Sequence, residues 1–561
     1  MNVSNMAPRA WHSLIAVMAL SVSGLAPAVL PQGSATAAAS QHQAGAPAGT
    51  AEDSRGPFSR KLVADLRRRG FKVSPGYPRL YTQRDCEDYT YPLLKNCFAN
   101  NPAAPYVTPV VKTWPGEYVN PAAVNAFGRT RPGYTTTYRL DPRDAIVMYG
   151  KMPPPGRYMG LQTWEFSQHG RWKARDYLKW ARTPSRPVPM QYLFDTIPPN
   201  DRKSGRTISL SALGSIVNNV VMQRQSGYSF GKTRYFIITP SVTTDHAVRR
   251  VLRALGVPGR DIFTEPIPSR DGLGRIGPLG MGKNAIDFST AFRYAIPDPG
   301  YQQAADRWRQ HPPLTVLDVR APATLGPARR YGRLTFAKRT ANSEAYLAGD
   351  LRNLINAVCG RVTSTTHLRT KDCSQPPPAS SFMVDPVRKY GWTGPYCRKV
   401  NMDCLGDQQD AAYYLAPPLP LDSGQVYAVV DTLATQTGNA TYAALSVSNA
   451  SLLEGVTNVL DTTLKGSADS YSGTVKHSGK FFVHYFTRNC AALHGLPGWP
   501  ENCTQITDQM LPPRSETSAE GDPALHGMFM AALRDYIKPG TEQGPDSRKL
   551  LTPRILTFTR P

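Results

Sequence analysis

Eight cysteines, grouped into four close pairs, constrain the fold of this sequence more than any other feature. An even set of cysteines in a chain that carries an export signal is typical of disulfide bonds, because exported proteins fold in an oxidising compartment. The entropy lost on closing a loop is smallest for partners that are near in sequence. We therefore predict four local disulfides: Cys86 with Cys97, Cys359 with Cys373, Cys397 with Cys404, and Cys490 with Cys503.

The cysteine spacing also argues against metal and thiol chemistry. A structural zinc site needs two closely spaced ligand pairs, but the sequence has no C-x-x-C and offers only Cys490 and His494 at a ligand-like interval. Cysteines that are all paired leave no thiol for nucleophilic catalysis. The sequence therefore predicts no metal and no cofactor.

The first 37 residues are typical of a secretory signal peptide. An apolar run from Leu14 to Leu30 is followed by the small residues 35–37, which form a cleavage site. The alternative is an uncleaved membrane anchor, but glycine and proline interrupt the run and make it a poor membrane-spanning helix. We expect an extracellular mature chain that begins near Ala38, with residues 38–56 as a disordered spacer.

The charge of the chain indicates which partners it favours. It has 65 Lys and Arg against 41 Asp and Glu, a formal net charge of +24. Such a charge favours anionic partners, such as an acidic polysaccharide or another anionic polymer. Nucleic acid is disfavoured because the chain is predicted to be exported, and no stretch beyond the leader is long and apolar enough to span a membrane.

The sequence divides at a connector rich in proline and cysteine, residues 363–404. Hydrophobic residues make up 41% of the chain, enough for packed cores and too many for a disordered protein. We predict a mixed α/β domain over residues 57–362 and a β-rich domain over residues 405–561.

The clearest unit of the first domain is a βαβ step. Residues 234–239 form an apolar strand, and Val248–Leu255 carry apolar side chains at helical spacing behind a cap at Thr243 or Thr244. Residues 261–265 supply the next strand, which predicts parallel pairing.

The patterns of the remaining segments predict further helices and strands. Residues 145–149 and 157–166 form a hairpin or two neighbouring strands. Further strands are expected at residues 285–295 and 314–319, and helices at 301–310 and 343–358.

The second domain is predicted to be a sheet with a helix packed on it. Strand patterns cover residues 425–432, 441–448, 480–488 and 554–559. Residues 523–536 are expected to form a helix, with Asp522 as its N-cap and Pro523 as its first residue. The predicted fold class is α+β, or mixed α/β: a mixed sheet with a βαβ unit, followed by a β-rich region with a packed helix.

Asp407, Asp410 and His484 are the candidate catalytic residues. The spacing of the two aspartates would place them on one face of a helix together with Tyr414. His484 alternates with two phenylalanines on a predicted strand. If the three side chains converge in a cleft, they can serve as acid, base and proton relay. Each also has a structural explanation: Asp407 as a helix cap and His484 as a core residue.

Three other motifs have plainer explanations. Ser229 lies in a G-x-S-x-G motif, but a strand follows where a nucleophile elbow needs a helix. Gly272–Gly277 match G-x-G-x-x-G, again without the helix that would hold a phosphate, so a glycine-rich loop is predicted. Arg171–Arg182 interleave basic and aromatic residues; they form either an anionic-ligand surface or an amphipathic helix.

Two functions from different classes fit these observations. The first is an extracellular hydrolase that uses carboxylate and histidine acid–base chemistry on an ester, glycoside or similar bond. The second is a non-catalytic protein that binds the cell envelope or an anionic polymer through its positive charge.

Overall fold

The computed structural model describes residues 56–94, 96–121, 123–170, 206–214, 216–333, 336–374, 377–516, 521 and 523–561. Three predicted segments lie outside these residues: the signal peptide 1–37, the spacer 38–56 except for Gly56, and the basic aromatic segment Arg171–Arg182.

Helices form over Val242–Ala254 and Gln302–Gln310 close to the predicted ranges, and the helix predicted at residues 343–358 lies at Ala348–Thr366; Pro57–Arg68 and Asn219–Ser226 are helices that the apolar periodicity did not predict. The longer helices, and the shorter ones used below, are α1 (Pro57–Arg68), α2 (Asn219–Ser226), α3 (Val242–Ala254), α4 (Gln302–Gln310), α5 (Ala348–Thr366), α6 (Pro386–Tyr390) and α7 (Gly394–Val400). Short helical turns cover Gln83–Asp85, Cys86–Thr90, Tyr91–Leu94 and Asp461–Leu464.

The first sheet contains the predicted βαβ unit. Its strands in spatial order are β1 (Lys72–Pro75), β13 (Leu314–Arg320), β5 (Asp144–Lys151), β9 (Thr233–Thr239) and β10 (Ile262–Pro266). β9 and β10 pair in parallel and are joined by α3, whereas the other neighbours are antiparallel. The βαβ prediction is confirmed, but the predicted cap at Thr243 or Thr244 is wrong. Ser241 is the N-cap of α3, since its side chain accepts a hydrogen bond from the N–H of Thr244.

The second sheet is antiparallel. In spatial order it contains β2 (Tyr77–Leu80), β3 (Tyr106–Lys112), β12 (Asp287–Pro297), β6 (Gly156–His169) and β7 (Arg206–Ala212); β4 (Tyr134–Thr135) pairs with β3, and β8 (Val217–Asn218) pairs with β6. A separate parallel pair consists of β11 (Pro268–Arg270) and β14 (Tyr331–Arg333).

Residues 145–149 and 157–166 are strands, as predicted, but they form neither a hairpin nor a neighbouring pair. The two segments form β5 and β6, which belong to different sheets. Both strands are buried, and β5 pairs with β9 and β13 while β6 pairs with β7 and β12. Short proline-containing connections therefore let the chain cross between two stacked sheets, a result that strand patterns alone cannot distinguish from a hairpin.

The third and fourth sheets form the C-terminal part. The third contains β15 (Ala411–Leu415), β22 (Met528–Tyr536), β18 (Tyr442–Asn449) and β19 (Glu454–Leu460) in spatial order, with β16 (Leu419–Pro420) also on β22. The fourth contains β21 (Cys503–Gln505), β20 (Phe481–Thr487), β17 (Val426–Thr432) and β23 (Arg554–Phe558).

The helix predicted for residues 523–536 is wrong. A short 3-10 turn covers Pro523–Leu525, and Met528–Tyr536 form β22, an inner strand of the third sheet. Phe529 and Leu533 enter the core shared with the fourth sheet, whereas Arg534 lies on the opposite side of the strand. Pairing on both edges of β22 outweighs the helix propensity of Met, Ala and Leu, which spans only a fraction of a kcal/mol per residue.

The sheets stack face to face between two layers of helices. α1 and α3 pack on the outer face of the first sheet, and a second core joins the first sheet to the second. Tyrosines join the second sheet to the third, and another core joins the third to the fourth. α5 covers the outer face of the fourth sheet. The layers are thus a pair of helices, four stacked sheets and a final helix. This is an α+β architecture and confirms the predicted class.

The four predicted disulfide pairs are confirmed. Cys86–Cys97, Cys359–Cys373, Cys397–Cys404 and Cys490–Cys503 have Cα–Cα distances of 5.6, 6.3, 5.7 and 6.0 Å, and no cysteine is left free. Loop-closure entropy alone therefore identified every partner. Within the described ranges, no helix is long and apolar enough to cross a membrane.

A candidate binding site between the second and third sheets

The interface between the second and third sheets is built from tyrosines around a buried arginine. Tyr158 of β6 packs against Tyr442 and Tyr536 of the third sheet, with ring centroids 5.5 and 5.1 Å away. Arg293 of β12 is fully buried behind them, and its guanidinium carbon is 5.9 Å from the centroids of both Tyr106 and Tyr158. Aromatic faces attract a cation, so these rings hold the arginine without an ion pair.

A cavity of about 110 Å³ opens beside this interface. Tyr106, Tyr413 and Tyr536 line it, together with Val387 and Trp392 of the segment that carries α6 and α7. Since a water molecule needs about 10–15 Å³ of such space, the cavity has room for a small organic molecule. Its lining is largely apolar and aromatic with a few polar groups, which is typical of a ligand site.

Two arginines bring positive charge to the wall of this cavity. Arg339 donates hydrogen bonds to the carbonyl oxygens of Ala411 and Gln408, at 2.7 and 3.0 Å, and burial lowers its pKa. Arg534 donates to the carbonyl oxygen of Ala99 at 2.9 Å and to the Ser446 hydroxyl. The hydrogen-bond acceptors of both guanidinium groups are thus neutral oxygens.

None of these arginines forms a close ion pair among the described residues. No carboxylate oxygen of the described chain lies within ion-pairing distance of Arg293, Arg339 or Arg534. A buried charge normally has a partner of opposite sign, because leaving water is costly for it. Asp407 and Asp410 act electrostatically on Arg339, and Asp410 acts on Arg293, without forming an ion pair with either.

Asp407 lies in the wall of the cavity and has a structural role. One oxygen accepts a hydrogen bond from the N–H of Ala212 at 2.7 Å, and the other accepts from the N–H of Gly394 at 2.8 Å. Burial raises its pKa, while these two N–H donors oppose the rise. The carboxylate thus ties the end of β7 to the start of α7, and the Cys397–Cys404 disulfide fastens the same helix to the loop that carries Asp407.

Asp410 is fully buried next to the tyrosine interface. It accepts a hydrogen bond of 3.0 Å from the hydroxyl of Tyr158, and burial raises its pKa. The expected helix is absent from this described segment, because residues 407–410 form a loop and Tyr414 lies on β15. The backbone of this loop bonds to Ile537 and fixes it against the third sheet.

The structure does not bring His484 to the two aspartates. His484 lies on the face of β20 that carries Phe486, in the core between the third and fourth sheets. Asp410 contacts Tyr158 on the other side of the third sheet. His484 is 1% exposed, bonds through Nε2 to the Thr504 hydroxyl at 2.8 Å, and burial lowers its pKa to about 3. It is a neutral core histidine.

The two glycine-rich motifs are loops, as predicted. Ser229 lies between α2 and β9 and is 0% exposed, so a substrate cannot reach its hydroxyl. Gly272–Gly277 form a turn that leads through further loop into β12.

Among the described residues, one group of Cys, His and carboxylate side chains is close enough to share a metal ion: Cys86, Cys97 and Glu454. Its two cysteines form a disulfide and offer no thiolate, so the group does not fit a metal.

Sequence reasoning identified Asp407 and Asp410 near the site but missed its arginines. Arg293 lies inside a strand segment, FRYAIP, and its charge among apolar residues of a buried strand was a usable signal. An arginine at such a position needs either a partner or a function, because charged residues are rarely buried alone. Arg339 and Arg534 carry no comparable pattern.

No family model matches this chain, and no curated protein is similar to it in sequence. Two solved structures are similar in part. An uncharacterized protein from Burkholderia cenocepacia has 10% sequence identity and a TM-score of 0.34, over 90% of this chain and 87% of its own. The VPA0106 protein from Vibrio parahaemolyticus has 9% identity and a TM-score of 0.31, over 84% of this chain and 95% of its own.

Proposed function

We propose that this chain is an exported protein that binds a small organic acid in the cavity between the second and third sheets. The observation that carries the proposal is the placement of Arg339 and Arg534 in an aromatic cavity without a close carboxylate partner among the described residues. Charge-assisted hydrogen bonds to arginine are the strongest polar contacts available there. The apolar walls accept the hydrocarbon part of the ligand.

A matched pair of probes tests this proposal. Calorimetric titration with cyclohexanecarboxylate and with its neutral amide separates charge from shape. We expect the acid to bind and the amide to bind at least about ten-fold more weakly, since losing one charged contact costs about 1.5–3 kcal/mol. Equal binding of both probes, or binding of neither, would refute the proposal.

Variants locate the binding in the cavity. Arg339→Gln should weaken cyclohexanecarboxylate by about ten-fold or more, because it removes a charge and keeps hydrogen-bonding capacity. Arg224→Gln is the control, because Arg224 is exposed and pairs with Glu542 at 2.8 Å outside the cavity. An Arg339→Gln protein that is folded and binds like the wild type contradicts the proposed site.

Export is part of the proposal. It is supported by the leader-like residues 1–37 and by eight cysteines that all find partners. Expression with the complete leader, followed by N-terminal sequencing of the protein outside the cell, should give a mature chain that begins near Ala38. An intracellular product with its leader intact would contradict export.

Binding to an anionic polymer is a second candidate function, and a basic helix face favours it. α1 and α3 pack together on the first sheet and expose Lys61, Arg67, Arg250 and Arg253 on their solvent side. Retention on immobilised polygalacturonate should fall between about 0.05 and 0.5 M salt, as screening shortens the reach of charge. The double variant Lys61→Glu with Arg250→Glu should weaken retention. Lys476→Glu, an exposed lysine of the C-terminal part, is the control and should not weaken it. Retention that does not change with salt concentration would exclude electrostatic binding to the polymer.

The hydrolase hypothesis stays a prediction. Asp410 has a raised pKa and accepts a hydrogen bond from Tyr158, but it is 0% exposed, so its use as an acid would require this side chain to become accessible to a substrate. A broad screen of esters and glycosides with the wild type and Asp410→Asn tests it. Turnover that survives the substitution would remove Asp410 from the chemistry.

A further inference from the structure

Three exposed arginines lie side by side on the small sheet that contains β11 and β14. Arg270 of β11 pairs with Arg333 of β14 in parallel register. On its other edge, Arg270 forms an antiparallel bridge with Arg275. Arg270 therefore lies between the other two arginines, and all three residues are exposed. We call Arg270, Arg275 and Arg333 the arginine row.

A tight hairpin holds Arg270 and Arg275 opposite each other. Backbone hydrogen bonds of 2.9 and 3.2 Å flank this pair on either side, so the two arginines are a non-hydrogen-bonded antiparallel pair. In such a pair the Cα atoms are about 4.5 Å apart and the side chains are at their closest. The Arg333 guanidinium also lies beside the hairpin, since a Cβ at Gly272 would be 3.9 Å from one of its nitrogens.

The arginine row has no anionic partner in the part of the chain that the structure describes. No carboxylate oxygen there lies within ion-pairing distance of it. The adjacent acid, Asp271, pairs with Arg398 at 2.6 Å through one oxygen, and its other oxygen accepts hydrogen bonds from the hairpin backbone. Residues 321–343, which contain β14, have five Lys and Arg and no Asp or Glu.

The row therefore has an electrostatic cost that the described chain does not offset. Like charges directly opposite one another on neighbouring strands destabilise a sheet, and here three such charges are adjacent. A ligand with several negative charges would offset this repulsion.

The geometry of the row indicates which anion fits. The planar fork of a guanidinium matches the two oxygens of a carboxylate. Neighbouring strands are about 4.8 Å apart, so the row offers three forks at a regular spacing, of the same order as the repeat of one hexuronate unit in an acidic polysaccharide. Leu273, at the tip of the hairpin, is 53% exposed and offers an apolar contact to the C–H face of a sugar ring. Inorganic polyphosphate has no such face.

We propose that the arginine row binds a short run of an acidic polysaccharide, with one hexuronate carboxylate at each guanidinium. The proposal rests on the second candidate function, binding of an anionic polymer, and names the residues and the repeating unit that this binding uses. It involves neither the cavity nor the helix face of α1 and α3. Three contacts to one ligand act together, so an oligomer should bind far more tightly than a single sugar.

Calorimetric titration with galacturonate oligomers tests the charge and the spacing. At a low salt concentration of about 0.05 M, where screening is weak, trigalacturonate should bind to the full chain. Galacturonate and the neutral trimer maltotriose should each bind at least about ten-fold more weakly, because the first makes one contact and the second has no charge. Equal binding of the trimer and the monomer would overturn the inference. Tripolyphosphate that binds as tightly as trigalacturonate would also overturn it, because the site would then select phosphate.

Arg270→Gln removes the central charge of the row. Trigalacturonate affinity should fall about ten-fold or more. The melting temperature should stay the same or rise, because the repulsion from Arg275 and Arg333 is relieved, and a merely structural role would lower it. Arg352→Gln is the control with the same change of charge, because Arg352 is exposed on α5 and belongs to the layer outside the fourth sheet. Unchanged affinity in Arg270→Gln, or an equal loss in Arg352→Gln, would refute the proposed site.

Retention on immobilised polygalacturonate separates this inference from the function on which it rests. If salt-dependent retention is the same for the wild type and Arg270→Gln, the inference fails while the candidate function stands. If the wild type is not retained at low salt, both fail.

Discussion

His484→Gln should make the protein less sensitive to acid. In the folded state the imidazole is 1% exposed among aromatic side chains, and burial lowers its pKa to about 3. In the unfolded chain a histidine has its ordinary pKa of about 6.5. Between these values the unfolded state binds more protons than the folded state. The free energy of unfolding is therefore highest above about pH 6.5, and protonation of the unfolded histidine lowers it as the pH falls.

The magnitude follows from the two pKa values. At pH 5 the folded histidine is still neutral, whereas the unfolded one is almost fully protonated. Protonation therefore lowers the free energy of the unfolded state by about 2 kcal/mol relative to pH 7. The full effect, reached below pH 3, is about 5 kcal/mol. Glutamine does not titrate, so the free energy of unfolding of the variant does not fall through this group at acidic pH.

Urea unfolding at pH 7 and pH 5 measures the difference. From pH 7 to pH 5 the free energy of unfolding of the wild type should fall by about 2 kcal/mol more than that of His484→Gln. His311→Gln is the control, because His311 is exposed beyond the end of α4 and stays in water in both states. A stability difference between the wild type and His484→Gln that is the same at both pH values would show that this histidine is not a buried neutral group.

Four further variants test other parts of the account, one of them through its pH dependence. Asp407→Ala should lower the free energy of unfolding by about 2–4 kcal/mol, since two buried N–H groups lose their acceptor; loss of ligand binding without loss of stability would contradict its structural role. Gly394→Ala should destabilise by about 1–3 kcal/mol in the same assay, because a Cβ would lie 2.4 Å from a backbone oxygen of β7; an unchanged midpoint would refute this. Replacing Cys397 and Cys404 together by serine should cost about 2–3 kcal/mol for so short a loop, measured by denaturant unfolding without reductant; an equal effect of reductant on both proteins would argue against the bond. Glu265 has its pKa raised to about 8 by burial, so the folded state binds the extra proton and stability falls as the pH rises from about 4.5 to 8. Glu265→Gln should remove that fall, and a variant that keeps the wild-type pH dependence would contradict the assignment.

The candidate site was only partly accessible to sequence reasoning. The two aspartates were singled out by their spacing, and both lie at or beside the site, but the helix expected to carry them is a loop. His484 was correctly expected on a strand between phenylalanines, and its alternative reading as a core residue matches its position. The alternation of residues along a strand shows that it has two faces. It does not show which sheet packs on each face, because that depends on the order in which the sheets stack.

The sequence by itself determined the features that depend on short-range physics. Four disulfides follow from loop-closure entropy between near neighbours, and several of the longer strands and helices follow from the periodicity of their apolar residues. The βαβ unit is local in the same sense, because its strands and helix are consecutive.

The tertiary structure alone decided which sheets meet and what lies between them. Tyr158 and Asp410 are 252 positions apart in sequence and share a hydrogen bond, and Met528–Tyr536 become a strand because two distant segments pair with both of its edges. Arg293 acquires its surroundings of tyrosines only when the second and third sheets stack. Such contacts are selected by burial and pairing between segments far apart in the chain, and these energies outweigh local propensity.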